Sequence, residues 1–382
     1  MERIPAVKIL VISHEYPPIG GGGGRVVQDL CKGLASREYD FYILTAHHAG
    51  LPDLETQEHL TIERLHSCRR QEYRASLFSM FCFVWKSFWR ALRIIKIWKP
   101  DLIHAHFAVP AGASAAMAAL LTRTPYILTI HGGDVPGGAP EKTRRWFKFI
   151  KPFTAFIWKK ARKIIAVSDF SRQLALMHYP VRIEVIPNGI DRKRFNQDVQ
   201  PVHSPPQLLF VGRFSPEKNA IALPDILNEI ADLPWSCTMI GDGPHYEKVN
   251  SHLLHYHLDE RVRLTGWISQ EDVNMALSQS DLLLMPSLRE SMPLVGLQAL
   301  AAGVGLLVSD VGACAEMVDE GQNGFLLPAN DISGFTRTLR SLLSTTEIIT
   351  ELKKVSKKKS AAFDLHAILD QYRSIYQEIS GI

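Results

Sequence analysis

The feature that most constrains this chain is a pattern stated twice. Short apolar runs alternate with amphipathic stretches, a polar break intervenes, and the alternation begins again. The first series holds VKILVIS (7–13), FYILTA (41–46), DLIHAHF (101–107), YILTIHG (126–132) and KIIAVS (163–168), with helical patterns at 25–37, 111–121 and from Asp169. Runs of this length, rich in Ile, Val and Leu and separated by helices, predict parallel strands covered on both faces. Residues 196–207, NQDVQPVHSPPQ, are polar, proline-rich and aperiodic, as a domain linker is. The second series holds LLFVGRF (208–214), CTMIGDGP (237–244), VRLTGW (262–267), LLLMPS (282–287), GLLVSD (305–310) and GFLLP (324–328). Its helices are expected at 220–231, from Gln270, at 293–302 and throughout the tail after Asp331. The fold class is therefore α/β, with two Rossmann-like doubly wound domains at 1–196 and 207–363 and a last helix, 364–382, expected to pack back on the first. A cleft between the carboxyl ends of the two sets of strands is the expected active site.

Composition narrows the setting. Of the 382 residues, 46% are hydrophobic and 21% charged, which excludes disordered and collagen-like chains. The longest apolar run, Leu77 to Trp85, is far short of the roughly 20 residues that cross a bilayer. The opening MERIPAVKILVI reads as a strand without a signal-peptide cleavage pattern. Five scattered cysteines with no metal-ligand spacing suit a reducing compartment, so a cytoplasmic location is expected.

Three stretches carry chemistry. Gly20 to Gly24, with Arg25 after it, lies between the first strand and its helix. Such a run lets backbone approach a ligand and presents N–H groups to an anion, which makes Gly21, Gly22 and Gly23 candidates for phosphate or sugar contact. The spacing is not G-x-G-x-x-G, so a dinucleotide site is disfavoured. Arg213 and Lys218, in GRFSPEK, put two cations at a strand end, which suits a diphosphate held without metal. In PSLRESMPLVGLQALAAG, Glu290 sits in a turn ahead of a helix whose N-terminus, at Met292, Pro293 and Leu294, faces a potential phosphate site. Gln298 follows about one turn further in.

The run ESMPLVGLQALAAG, with SDVGACAEMVDEGQNGFLLP after it, resembles the donor-site signature of family 4 retaining glycosyltransferases of GT-B architecture. YPPIGGGG, IPNGID, GRFSPEK, IGDGP and LTGWIS recur in that family's order, and the similarity spans about residues 8 to 330. The resemblance implies that Arg213 and Lys218 hold the donor diphosphate. Glu290 with Ser291, Met292, Pro293 and Leu294 would hold sugar and phosphate, Gly241 and the turn from Thr265 to Ile268 the base. His131, in HGGD, matches the histidine that meets the donor sugar from the first domain. His14, His104 and His106 also stand at strand ends, and Asp134 is a candidate acceptor contact. The family pattern has glutamate at both ends of its motif, whereas this chain has Glu290 and Gln298. A glutamine accepts only through its carbonyl oxygen, a loss worth roughly 1 kcal/mol at the nucleotide ribose.

The implied reaction is transfer of a hexose, expected to be glucose, from a UDP-sugar to a polysaccharide or lipid-linked saccharide, with retention, without cofactor and without metal. No Asp-x-Asp pair lies near a strand end, which agrees with metal independence. Two alternatives stand beside it. A nucleotide-sugar 2-epimerase would need cleft acids and bases for elimination, and a non-catalytic nucleotide-sugar-binding subunit would find its best support in Gln298.

The net charge of +4 conceals a division. Residues 1–200 hold 29 Lys and Arg against 17 Asp and Glu, or +12, and the remainder stands at −8. Lys86, Arg90, Arg93 and Lys96 predict one basic helix stripe, with Trp85, Phe88, Trp89 and Leu92 opposite. Residues 142–163 hold nine basic residues, no acidic one, and interleaved aromatics. Solvated helix faces explain both segments, and so does an anionic membrane surface. No nucleic-acid motif accompanies them.

Overall fold

The computed structural model describes residues 6–36, 38–69, 75–138, 154–195 and 197–381. The chain divides into two compact units, the first made of Met1–Asn188 with His366–Ile382, the second of Gly189–Leu365.

In the first unit, β1 (Val7–Ile12), β2 (Tyr39–Ala46), β3 (Leu54–Gln57), β4 (Leu60–Leu65), β5 (Leu102–His106), β6 (Tyr126–Ile130), β7 (Lys163–Ala166) and β8 (Glu184–Val185) form one sheet. Its order is β3-β4-β2-β1-β5-β6-β7-β8, parallel except for the β3–β4 pair. Helices α1 (Gly22–Leu34), α2 (Leu77–Trp98), α3 (Ala113–Thr122), α4 (154–160) and α5 (Asp169–Leu176) cover it. Strands β5 and β6 are buried at every position, which is why they read as unbroken apolar runs rather than alternating ones. The β3–β4 hairpin escapes a search for apolar runs because β3, LETQ, buries nothing.

The second unit holds β9 (Gln207–Val211), α6 (Leu223–Asn228), β10 (Ser236–Ile240), α7 (Tyr246–His255), β11 (Val262–Leu264), α8 (Gln270–Ser278), β12 (Leu282–Met285), α9 (Leu294–Ala302), β13 (Gly305–Ser309), α10 (Cys314–Met317) and β14 (Gly324–Leu327). Helices α11 (Ile332–Ser344) and α12 (Thr346–Lys359) complete it. Its all-parallel sheet runs β11-β10-β9-β12-β13-β14. Counted within the unit that is 3-2-1-4-5-6, the doubly wound order, and the winding reverses between β9 and β12. The first unit reverses likewise between β1 and β5. The helix expected at 220–231 is shorter, α6 beginning only after a turn at Ala220–Ala222 and ending at Asn228.

The proline-rich stretch that reads as a domain linker falls within the second unit. His203 reaches buried Asp281 through both its backbone N–H and its ring Nδ1, each at 3.1 Å. Lys353 Nζ donates to Asp281 Oδ1 at 2.6 Å, and the Gln207 amide to Oδ2 at 2.8 Å. The carboxylate is fully buried and needs each of these partners. The last helix, α13 (Leu365–Ser380), lies with the first unit, where Tyr376 OH and His104 Nδ1 are 2.7 Å apart.

Candidate functional site

Each unit gathers chemistry at its own reversal point. In the second, the loop after β9 carries Arg213 and Lys218, and the loop after β12 carries Glu290. The Leu288 amide donates to the Glu217 carbonyl at 2.8 Å, joining the two loops. Lys218 Nζ then donates to Glu290 Oε1 at 2.6 Å, and Ser287 Oγ donates to the same oxygen at 2.8 Å. The Glu290 side chain is only 6% exposed, so without these donors its charge would be desolvated and uncompensated. Ser287 was absent from the sequence expectations, although its place between strand and turn is visible there.

Three glycines fix this geometry. Gly241 (φ +131°) and Gly243 (φ +154°) have no room for a side chain, since a Cβ would sit 2.0 Å from the Gly212 carbonyl oxygen and 2.7 Å from that of Phe214. The Gly212 amide donates to Ile240 O, the Phe214 amide to Asp242 O and the Gly241 amide to Gly266 O, so the three loops after β9, β10 and β11 form one surface. Thr265 and Ile268 lie half-buried in the last of them. Gly312 (φ +60°) presses on the turn that carries Glu290, where a Cβ would fall 1.7 Å from Glu290 O.

Pro293 caps α9, Leu294 is its first residue, and no acidic side chain occupies its first turn. The leading amides therefore lack intrahelical acceptors and present positive charge. Ser291 accepts from the Ala313 amide at 2.9 Å, and Met292 is buried. Gln298 stands half-buried one turn into the helix.

In the first unit, the glycine run lies against aromatic rings. A Cβ at Gly23 would come within 2.6 Å of Phe107 Cζ and 3.6 Å of His131 Cγ. The Gly21 amide is engaged, donating to Glu15 Oε2 at 3.1 Å. Gly22 opens α1. Glu15 thus supplies an internal anion to the loop, a partner the sequence expectations missed.

His131 follows β6 with 8% exposure. His106 Nδ1 and His131 Nε2 are 3.2 Å apart, and Phe107 lies against both His131 and His14, at centroid distances of 4.4 and 4.7 Å. Phe107 takes φ of 73°, an uncommon left-handed backbone for an aromatic residue. Burial disfavours the charged imidazolium, which holds His14 down to about 4, His104 and His131 to about 3, and His106 well below the ordinary histidine value. All four rings are neutral at pH 7.

Two first-unit expectations change. His104 is internal, with Tyr376 OH at 2.7 Å from one ring nitrogen and Thr129 Oγ1 at 2.8 Å from the other. Asp134 is a brace rather than an open acceptor contact, because its oxygens receive the His131 amide at 2.9 Å and the Ala108 amide at 2.5 Å. Burial raises its carboxyl to about 6, while the amides pull it down.

The basic segments also differ from expectation. On α2 the core face is Phe83, Ser87, Ala91 and Ile94, and Trp85 and Trp89 face outward beside Lys86, Arg93 and Lys96. Arg90 is drawn aside, its Nε donating to Glu63 Oε1 at 2.6 Å. Of residues 142–163, those up to Phe153 lie outside the described residues, and Trp158 is core, stacked on Tyr179 at 4.5 Å. Among the described residues, no helix is long and apolar enough to cross a membrane.

Comparison with known proteins places this geometry. The profile of Glycosyltransferase Family 4 matches residues 20–194, and that of Glycosyl transferases group 1 matches residues 191–359. The uncharacterized glycosyltransferase MJ1178 of Methanocaldococcus jannaschii is 26% identical over 98% of this chain and 99% of its own. A UDP-Gal:alpha-D-GlcNAc-diphosphoundecaprenol alpha-1,3-galactosyltransferase of Escherichia coli is 26% identical over 76% of this chain and 79% of its own. The crystal structure of Anabaena Alr3699/HepE in complex with UDP-glucose superposes with a TM-score of 0.74, at 18% identity, over 97% of this chain and 99% of the other.

Proposed function

The chain belongs to the family 4 glycosyltransferases of GT-B architecture, and from that premise we propose that it transfers glucose from UDP-glucose to a polysaccharide or lipid-linked saccharide. The observation that carries this reading is the meeting of Lys218 and Glu290 at the reversal point of the second sheet, beside a first turn of α9 that holds no acidic side chain. A cation and a helix N-terminus together suit a departing diphosphate, and a nearly buried carboxylate suits sugar hydroxyls. The names of the relatives support the donor and acceptor classes, one being a UDP-galactose transferase acting on a lipid diphosphate and another a structure with UDP-glucose bound.

In the proposed step, the bond from the anomeric carbon to the β-phosphate oxygen breaks and a bond to the acceptor oxygen forms on the same face. The leaving diphosphate takes the acceptor's proton. Lys218 and Arg213 offset the charge that develops on it, and the α9 amides add donors already in place, so neither metal nor cofactor is assigned a part. In the first unit, His131 is the residue assigned to the reaction, as a neutral imidazole positioned by His106 and Phe107.

We also assign the outward face of α2 to an anionic membrane surface. Phe78, Phe81, Trp85 and Trp89 are all more than half exposed, beside the exposed Arg93 and Lys96. A recess between α3 and α4, lined by Arg123, Lys160, Arg162 and Leu120, adds three cations on the same side of the sheet. Aromatics at headgroup depth with cations beside them suit such a surface.

A panel of radiolabelled nucleotide sugars tests the transferase. Slow UDP release from UDP-glucose, accelerated when saccharide acceptors are added, is expected. Interconversion of the sugar without transfer, or binding without turnover, would overturn it.

A further inference from the structure

The carboxyl edge of the first sheet carries a second cluster, two strands outward from β1. His47 follows β2 and His66 follows β4, strands paired in parallel with Ala46 opposite Leu65, so the two rings leave side by side with centroids 3.8 Å apart. Asp53 precedes β3, whose antiparallel pairing sets Leu54 opposite Glu63 and brings the carboxylate to the same end. The backbone at all three positions is held. The His47 amide donates to Leu65 O at 2.8 Å, the Arg64 amide to Asp53 O at 2.8 Å, and Lys86 Nζ to His66 O at 2.5 Å.

Asp53 Oδ1 lies 2.8 Å from His66 Nε2 and 3.4 Å from His47 Nε2, and the potential ligand atoms all fall within 4.8 Å of one another. Ligands held about 2.0–2.1 Å from a tetrahedral ion are separated by about 3.3 Å along each edge, so small side-chain rotations close the site. The Leu51 carbonyl, 2.9 Å from the same His47 Nε2, accepts that nitrogen's proton in the metal-free chain, and both proton and carbonyl give way when the ring binds an ion through Nε2.

We propose that His47, Asp53 and His66 bind a divalent first-row transition ion, with zinc as the reference, leaving one coordination position open. Two imidazoles and one carboxylate are donors for zinc, nickel or copper rather than for magnesium or calcium, which take oxygen sets. The site is separate from the residues assigned to glycosyl transfer. Its competing explanation is two histidines sharing one carboxylate through protons alone.

Titration of the untagged, chelator-stripped full chain with Co²⁺, followed by visible absorption, separates the two. One equivalent should give saturable d–d bands that one equivalent of Zn²⁺ abolishes and excess Mg²⁺ does not. His66→Ala should weaken Co²⁺ binding by about 100-fold or more, beyond the 10–100-fold of an outer-shell change. Asp53→Asn, nearly isosteric, should weaken it in the same direction and guards against misfolding of the alanine variant, with circular dichroism as the check. His255→Ala, exposed on α7 of the second unit, should leave binding unchanged. Absence of a saturable signal, or equal binding by wild type and both site variants, would overturn the proposal.

Discussion

Lys218 and Glu290, 72 positions apart in the chain, are joined by a 2.6 Å hydrogen-bonded ion pair where the second sheet reverses its winding. Neither loop alone makes this site. The Leu288 amide on the Glu217 carbonyl holds the two loops in register, and Ser287 completes the carboxylate's partners.

Lys218→Ala should lower UDP-glucose turnover about 100-fold, equivalent to about 2.7 kcal/mol of transition-state stabilisation. Glu290 would keep Ser287, so the expected stability loss is about 1–2 kcal/mol and the fold survives. Coupled-assay kinetics and denaturant unfolding read the two effects separately. Turnover equal to wild type would remove Lys218 from the diphosphate.

Gly312→Ala tests the turn from behind. With its φ of +60° and a Cβ 1.7 Å from Glu290 O, the added methyl must displace the backbone of Glu290. Stability should fall by about 2 kcal/mol or more, with turnover falling too. An unshifted melting curve would show that the turn yields freely.

Gln298→Glu restores the second carboxylate. Tighter donor binding by roughly fivefold, about 1 kcal/mol, is expected from calorimetry with UDP. Unchanged or weaker binding would take residue 298 away from the ribose.

Acid should destabilise the first unit steeply. His14, His104, His106 and His131 have folded-state values below that of an exposed histidine, so below about pH 6.5 the unfolded chain binds protons that the folded chain refuses. Each such ring removes about 1.4 kcal/mol per pH unit between 6.5 and its own value. Asp134, raised to about 6, acts in the opposite sense, because between its ordinary value and 6 the folded state binds the extra proton. Unfolding at pH 7.5 and 5.5 should show net loss on acidification, and His104→Gln should flatten it. A loss of the same size in that variant would refute the assignment to His104.

Charge reversal at Arg93 and Lys96 should release the protein from anionic vesicles at low salt. Arg90 is the wrong residue for that test, since its reversal would break the pair with Glu63. Co-sedimentation unchanged by the Arg93 and Lys96 reversals would return α2 to a solvated helix.

Strand runs were legible because buried parallel strands write themselves as apolar blocks, and Gly-rich and charged loops at their ends pointed to Lys218, Glu290 and His131. Other features left no local trace. The β3–β4 hairpin is hidden by a strand with no buried residue. The outward turn of Trp85 and Trp89 defies the rule that sends aromatics inward, and the fate of Arg90 depends on Glu63, 27 positions earlier on another strand. The polar stretch 196–207 reads as a linker because its anchor, Asp281, lies far along the chain.

The pairing of Tyr376 with His104 has a consequence for biosynthesis. The two residues are 272 positions apart, and the whole second unit is translated between them. At roughly 5–20 residues per second, the nascent first unit waits on the order of 15–50 s for the helix that seals His104. A ribosome stalled within the second unit would therefore hold the first one incomplete, with a face for chaperones to guard.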